Sequence, residues 1–76
     1  MNANRRKELQ KVIELIEQAK SQLEELKDQE QEAFDNMPEG LQSSDKGERM
    51  EEVIDYLDES YSELEAAIEN INSAIE

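Results

Sequence analysis

Apolar residues in this chain recur in alternating steps of three and four, and that rhythm constrains its fold more than any other feature. In the second half Ile54, Leu57, Tyr61, Leu64, Ile68, Ile71 and Ile75 keep the rhythm without a break, and Met50 and Val53 extend it upstream. Such spacing gathers side chains on one face of an α-helix, whereas a half-buried strand requires alternation at every second residue. In the first half Leu9, Val12, Ile16, Ala19, Leu23 and Leu26 follow the same rule, with Ile13 and Leu15 widening the stripe. That seam would next fall on Glu30, Ala33 and Met37, with Phe34 beside it, so the packing is expected to loosen where a charge replaces a leucine.

Between the two stripes, NMPEGLQSSDKGERMEE at residues 36–52 contains the only proline and both glycines. A residue preceding proline avoids the α region, so Pro38 should end the first helix, although Pro38 to Leu41 can form one short helical turn. The second helix can be capped by Ser44 with Asp45 in its first turn, or by Asp45 with Glu48 reaching back as a capping box. The reading is therefore all-α: one domain over residues 1–76, an antiparallel hairpin with a helix at about 4–36, a connection at about 37–44 and a helix at about 45–75. Met37 and Leu41 are expected to fold over the end of the bundle. The segment has a faint calcium-loop look, but Met37 and Pro38 interrupt the alternation of ligands.

Two antiparallel helices cover only their facing stripes, and a chain of this size is near the lower limit for a self-sufficient core. The stripes are wider than a single seam, with Val12 beside Ile13, Leu15 beside Ile16, Val53 beside Ile54 and Tyr56 beside Leu57. Ser60, Ala67 and Ala74 each precede a large residue, which would let another helix approach closely. Two-fold pairing into a homodimeric four-helix bundle would cover the excess. The self-association or core seam is accordingly Leu9, Val12, Ile16, Leu23, Leu26, Ile54, Leu57, Tyr61, Leu64, Ile68 and Ile71.

The residue inventory is poor in catalytic groups. The absence of cysteine and histidine removes thiolate metal sites, the commonest general base and the Glu-x-x-His motif of bundle metal centres. Neither a phosphate-binding glycine loop nor a nucleophile triad is present, so no catalytic, cofactor or metal residue is assigned. The basic start, MNANRRKELQ, has no apolar run behind it, and no stretch approaches the ~20 apolar residues of a membrane span. A soluble cytoplasmic protein without membrane contact is expected. Arg5, Arg6 and Lys7 oppose the dipole at a helix N-terminus, which predicts fraying there, and Lys20 and Lys27 read as surface ion pairs among acids.

The informative chemistry is the charge. Twenty-one acids against eight bases give a formal charge of −13, which disfavours direct contact with nucleic acid and points to a protein partner with a basic surface. No base occurs after Arg49, and Glu51, Glu52, Asp55, Asp58, Glu59, Glu65 and Glu69 share the face opposite the apolar seam. A face built only for solubility would include lysines one turn from the acids, because such pairs add a few tenths of a kcal/mol each (roughly 0.2–0.5). Carboxylates one helical turn apart, ~5.4 Å, with neighbours between them, could occupy a groove that accepts phosphates spaced ~3.4 Å along a strand. These seven acids are the candidate partner-binding residues. The competing reading is a structural or assembly protein whose acids serve solubility alone.

The succession of a basic start, an acidic Leu/Ile-rich helix, the corner EQEAFDNMPEGLQSSDKGERMEE and the second helix VIDYLDESYSELEAAIENINSAIE resembles small uncharacterised proteins of bacteriophages and prophages of low-GC Gram-positive bacteria. The likeness spans nearly the whole chain, and the corner is its most specific part. It implies a host-cell cytoplasmic setting and an inhibitor or modulator of a host protein, such as a defence nuclease or another nucleic-acid enzyme. No site residue is carried over with it.

Overall fold

The computed structural model describes residues 1–76 and contains three helices: α1 (Ala3–Asp35), α2 (Glu39–Gln42) and α3 (Asp45–Ile75). Helices α1 and α3 run antiparallel along a rod with extents of 58 × 15 × 12 Å, and the single turn of α2 closes one end. The hairpin and its boundaries match the expectation from the apolar rhythm to within a residue or so. No helix is long and apolar enough to cross a membrane.

Each of the two long helices starts on a side-chain cap. Asn2 precedes α1, and its side-chain oxygen accepts a hydrogen bond from the Arg5 amide at 2.8 Å. Ser44 is the cap of α3 and accepts from the Gly47 amide, with Asp45 and Glu48 in the first turn, so of the two expected caps the structure selects the serine. These caps satisfy amides that have no carbonyl partner inside the helix.

The basic start is helical from Ala3 onward. The antiparallel arrangement brings the last turn of α3 beside the first turns of α1, and Arg6 Nε donates to the Ile75 carbonyl at 3.1 Å. A cation unfavourable at its own N-terminus is favourable at a neighbouring C-terminus, where free carbonyls carry partial negative charge.

The seam of α3 follows the sequence reading: Met50, Ile54, Leu57, Tyr61, Leu64, Ile71 and Ile75 are half-buried and Ile68 is buried. The seam of α1 is rotated from the expected one. Leu9, Ile16, Leu23 and Glu30 lie in it as expected, but the alternate positions are Ile13, Lys20, Lys27 and Phe34, not Val12, Ala19, Leu26 and Ala33. Val12 is 40% and Leu26 49% exposed, whereas Ile13 is 8% exposed. Hydrophobicity alone favours the wrong set because the true one contains two lysines. Their apolar stems cover the seam while their ammonium groups reach acids on α3.

The corner is built, with little slack. Pro38 begins α2, as anticipated. The Gln42 side chain donates to the carbonyls of Phe34 at 3.0 Å and Met37 at 3.2 Å, which completes the C-terminus of α1. Met37 is half-buried against the bundle end, but Leu41 is 50% exposed, contrary to expectation, because the turn of α2 directs it outward. Gly47 is buried in the first turn of α3, and a Cβ there would overlap the backbone carbonyls of Leu41 and Gln42. The glycine is therefore required by close approach of the corner to α3.

Replacing Gly47 by alanine improves intrinsic helix propensity by about 1 kcal/mol, yet forces the corner away from α3. Gly47→Ala should lower unfolding free energy by about 1–3 kcal/mol, the usual cost of overpacking, as read by urea denaturation. A stabilised Gly47→Ala protein would show that the corner is free to move.

Candidate functional site

With the true register established, the rod has two chemically different sides. In an antiparallel pair, residues that follow the Leu9-type seam positions of α1 share a side with those that follow the Met50-type positions of α3. That side carries Glu17 and Glu24 from α1 and Glu51, Asp58 and Glu65 from α3. Farther round it come Glu14 and Asp28 of α1 and Asp55 and Glu69 of α3, all exposed. The opposite side carries Val12, Ala19, Leu26 and Ala33 of α1 with Val53, Ser60, Ala67 and Ala74 of α3, none of them charged.

All seven predicted acids are exposed and lie on or next to the acidic flank. They are not uniformly free. Lys27 Nζ donates to Asp58 Oδ1 at 2.9 Å, and Lys20 Nζ lies 3.7 Å from Glu65 Oε1 and 4.0 Å from Glu17 Oε2. Arg49 reaches Glu52 at 3.5 Å. The stripe expected to be uncompensated is thus neutralised at three places, leaving Glu51, Asp55, Glu59 and Glu69 without a basic partner. The partners come mainly from α1, so sequence reading along α3 alone could not reveal them.

Lys20 and Lys27 form the expected ion pairs, and beyond the contact of Lys20 with Glu17 in its own helix they tie the two helices together. They are one heptad apart on α1, and Glu65 and Asp58 are one heptad apart on α3 in the reverse direction. Lys20 also sits 5.0 Å from the centroid of the Tyr61 ring, over whose face a cation is favoured. Solvent-accessible ion pairs add little net stability. Their contribution is to let two lysines occupy seam positions with their charges matched across the helices.

The hydrogen bond from Lys27 to Asp58 raises the lysine pKa above its ordinary value of 10.5; nearby charges of Asp58, Asp28 and Glu24 act in the same direction and desolvation opposes them. A raised lysine pKa contributes stability that is fully present below the unfolded value and is lost as pH rises through the folded one.

The acids of α1 are the part of this site that sequence reasoning missed. Glu17 lines the same shallow hollow as Lys20, Glu65 and Glu69, so the acidic surface has two rows, one from each helix. A seam read through Ile13, Lys20, Lys27 and Phe34 would have placed Glu17 and Glu24 beside it. Glu30, the one acid on the seam, is half-buried and has no ion partner. No three acidic side chains converge as metal ligands would.

Thermal unfolding at neutral pH should show Lys27→Leu to be more stable than wild type, since an apolar side chain suits the seam and the exposed ion pair contributes little. The wild type should also lose stability more steeply than the variant as pH is raised beyond 10.5. A variant melting lower at neutral pH, or two parallel alkaline profiles, would contradict this account. No protein family, curated protein or solved structure matches the chain.

Proposed function

We propose that this chain is a non-catalytic protein-binding module that presents its acidic flank to a basic surface on another protein. The observation that carries the reading is the sorting of charge: acids of both helices line one flank, while the other carries none along its central length. A surface acidic only for solubility would have no reason to leave the central length of one flank uncharged. Clustered carboxylates on a rigid rod steer a basic partner during encounter and weaken as salt rises.

The resemblance to small acidic phage and prophage proteins gives this module a direction, as an inhibitor or modulator of a host nucleic-acid enzyme. Two rows of carboxylates on packed helices, whose axes are typically ~8–10 Å apart, give such an enzyme a surrogate for paired phosphate strands. On this reading Glu51, Asp55, Glu59 and Glu69 make the strongest contacts, since Asp58, Glu65 and Glu52 are shared with bases of the chain itself. The working unit is a homodimeric four-helix bundle in a cytoplasmic setting.

A second reading, an assembly protein in which the bundle itself is the function, is favoured by the uncharged flank. The two separate by experiment. Wild-type chain and the quadruple variant Glu51→Gln, Asp55→Asn, Glu59→Gln, Glu69→Gln are used to capture proteins from a Gram-positive lysate at low and moderate salt. The module reading expects a nucleic-acid-binding protein held by the wild type, released by added duplex DNA, and bound about tenfold or more weakly by the variant. Equal capture by both would remove the acidic flank from the mechanism.

A further inference from the structure

Six large apolar residues are exposed: Met1, Val12, Leu15, Leu26, Leu41 and Tyr56. Met1 lies at the chain end and Leu41 in the corner, but the other four lie on the flank opposite the acids or at its edge. This flank runs without a charged residue at any of its positions from Val12 to Ala33 on α1 and from Val53 to Ala74 on α3, in a chain 38% charged; Glu63 borders it on the outer side and Glu30 on the seam side. Exposed apolar surface this continuous marks an interaction site.

We propose that a second copy of this chain covers that flank, packing Val12, Ala19 and Leu26 of α1 with Val53, Ser60 and Ala67 of α3 under two-fold symmetry. This assignment of the interface rests on the dimeric reading given above and is independent of the acidic-flank partner.

The area agrees with a dimer. The hairpin exposes 5697 Å², whereas a compact monomer of 8.8 kDa exposes about 4,800 Å². The surplus of about 900 Å² is close to the ~800 Å² that each partner contributes to a standard protein interface. The radius of gyration, 17.3 Å, likewise exceeds the ~11 Å of a compact domain of this length. Inside the single hairpin Ile13 and Ile68 are the only buried apolar side chains, and no side chain is fully buried.

The shape favours self-pairing in particular. The α1 row alternates large and small residues, Val12, Ala19, Leu26 and Ala33, whereas the α3 row is Val53 followed by the small Ser60, Ala67 and Ala74. A two-fold axis that sets α1 of one copy against α3 of the other places the large members of one row against the small members of the other, twice over. Both rows repeat every seven residues, as meshing helices require. Ser60 raises no obstacle to burial, because its hydroxyl already donates to the Tyr56 carbonyl at 2.9 Å. The arrangement also turns both acidic flanks outward, which keeps the charges of −13 per chain as far apart as the bundle allows.

Sedimentation equilibrium on the whole chain at about 100 μM in moderate salt should give twice 8.8 kDa. Leu26→Glu should sediment as a monomer, and Asp55→Asn, on the acidic flank, should stay dimeric. Because Leu26→Glu could unfold the hairpin as well as separate the copies, thiol labelling supplies a second reading in this cysteine-free chain. Ala19 is exposed in the single hairpin, so an Ala19→Cys thiol should be labelled at least tenfold more slowly at dimer-forming concentration than after dilution. A Glu59→Cys thiol should label at one rate throughout. A monomeric wild type, or a dimer in which the thiol at position 19 gains no protection, would overturn the proposal. Neither result depends on capture of a basic partner, so the two readings fail separately.

Discussion

Everything in this molecule depends on the alignment of α1 against α3. With no side chain fully buried, the apolar seam alone would tolerate a slip by one heptad, since leucine and isoleucine recur every three or four residues along both helices. The charged layers, Lys20 with Glu65 and Lys27 with Asp58, oppose a slip in one direction, which would set Lys20 against Asn72. The opposite slip would only exchange their acids for Asp58 and Glu51, and it is the short corner, with Gly47 close against Leu41 and Gln42, that opposes it. Each lysine lays an apolar stem across the seam and delivers its charge at the edge, so the layers cost little covered apolar area.

The register then decides what each side of the rod presents. Because the lysines reach toward one flank, that flank gathers the acids of both helices, and the other is left with small and aliphatic residues. Charge and apolar surface are thereby separated across a rod whose lesser extents are only 15 and 12 Å. The same separation underlies both proposals: repulsion is directed to the outer side, where a basic partner would meet it, and the uncharged side is left to associate.

The corner works with the register. The Gln42 bonds to Phe34 and Met37 and the close approach at Gly47 join α1, α2 and α3 into one rigid end. At the open end Arg6 holds the Ile75 carbonyl. The hairpin is secured at both ends by backbone carbonyls that a helix cannot satisfy from within, which lets a slender core suffice in between.

The sequence by itself determined the all-α hairpin, its boundaries and the seam of α3. Each of these follows from local rules: a period near 3.6, a proline that stops a helix, a serine that caps one. It also placed seven acids on the outer surface of α3. Only the tertiary structure decided which of two heptad sets on α1 faces α3, because a lysine counts as polar in any hydrophobic pattern, and its aliphatic stem becomes seam only when an acid on another helix receives its charge. From that choice come the exposure of Val12 and Leu26, the second acidic row of Glu17 and Glu24, and the pairing of Asp58 and Glu65. All three are relations between residues far apart in the chain, which a periodicity read within one helix cannot contain.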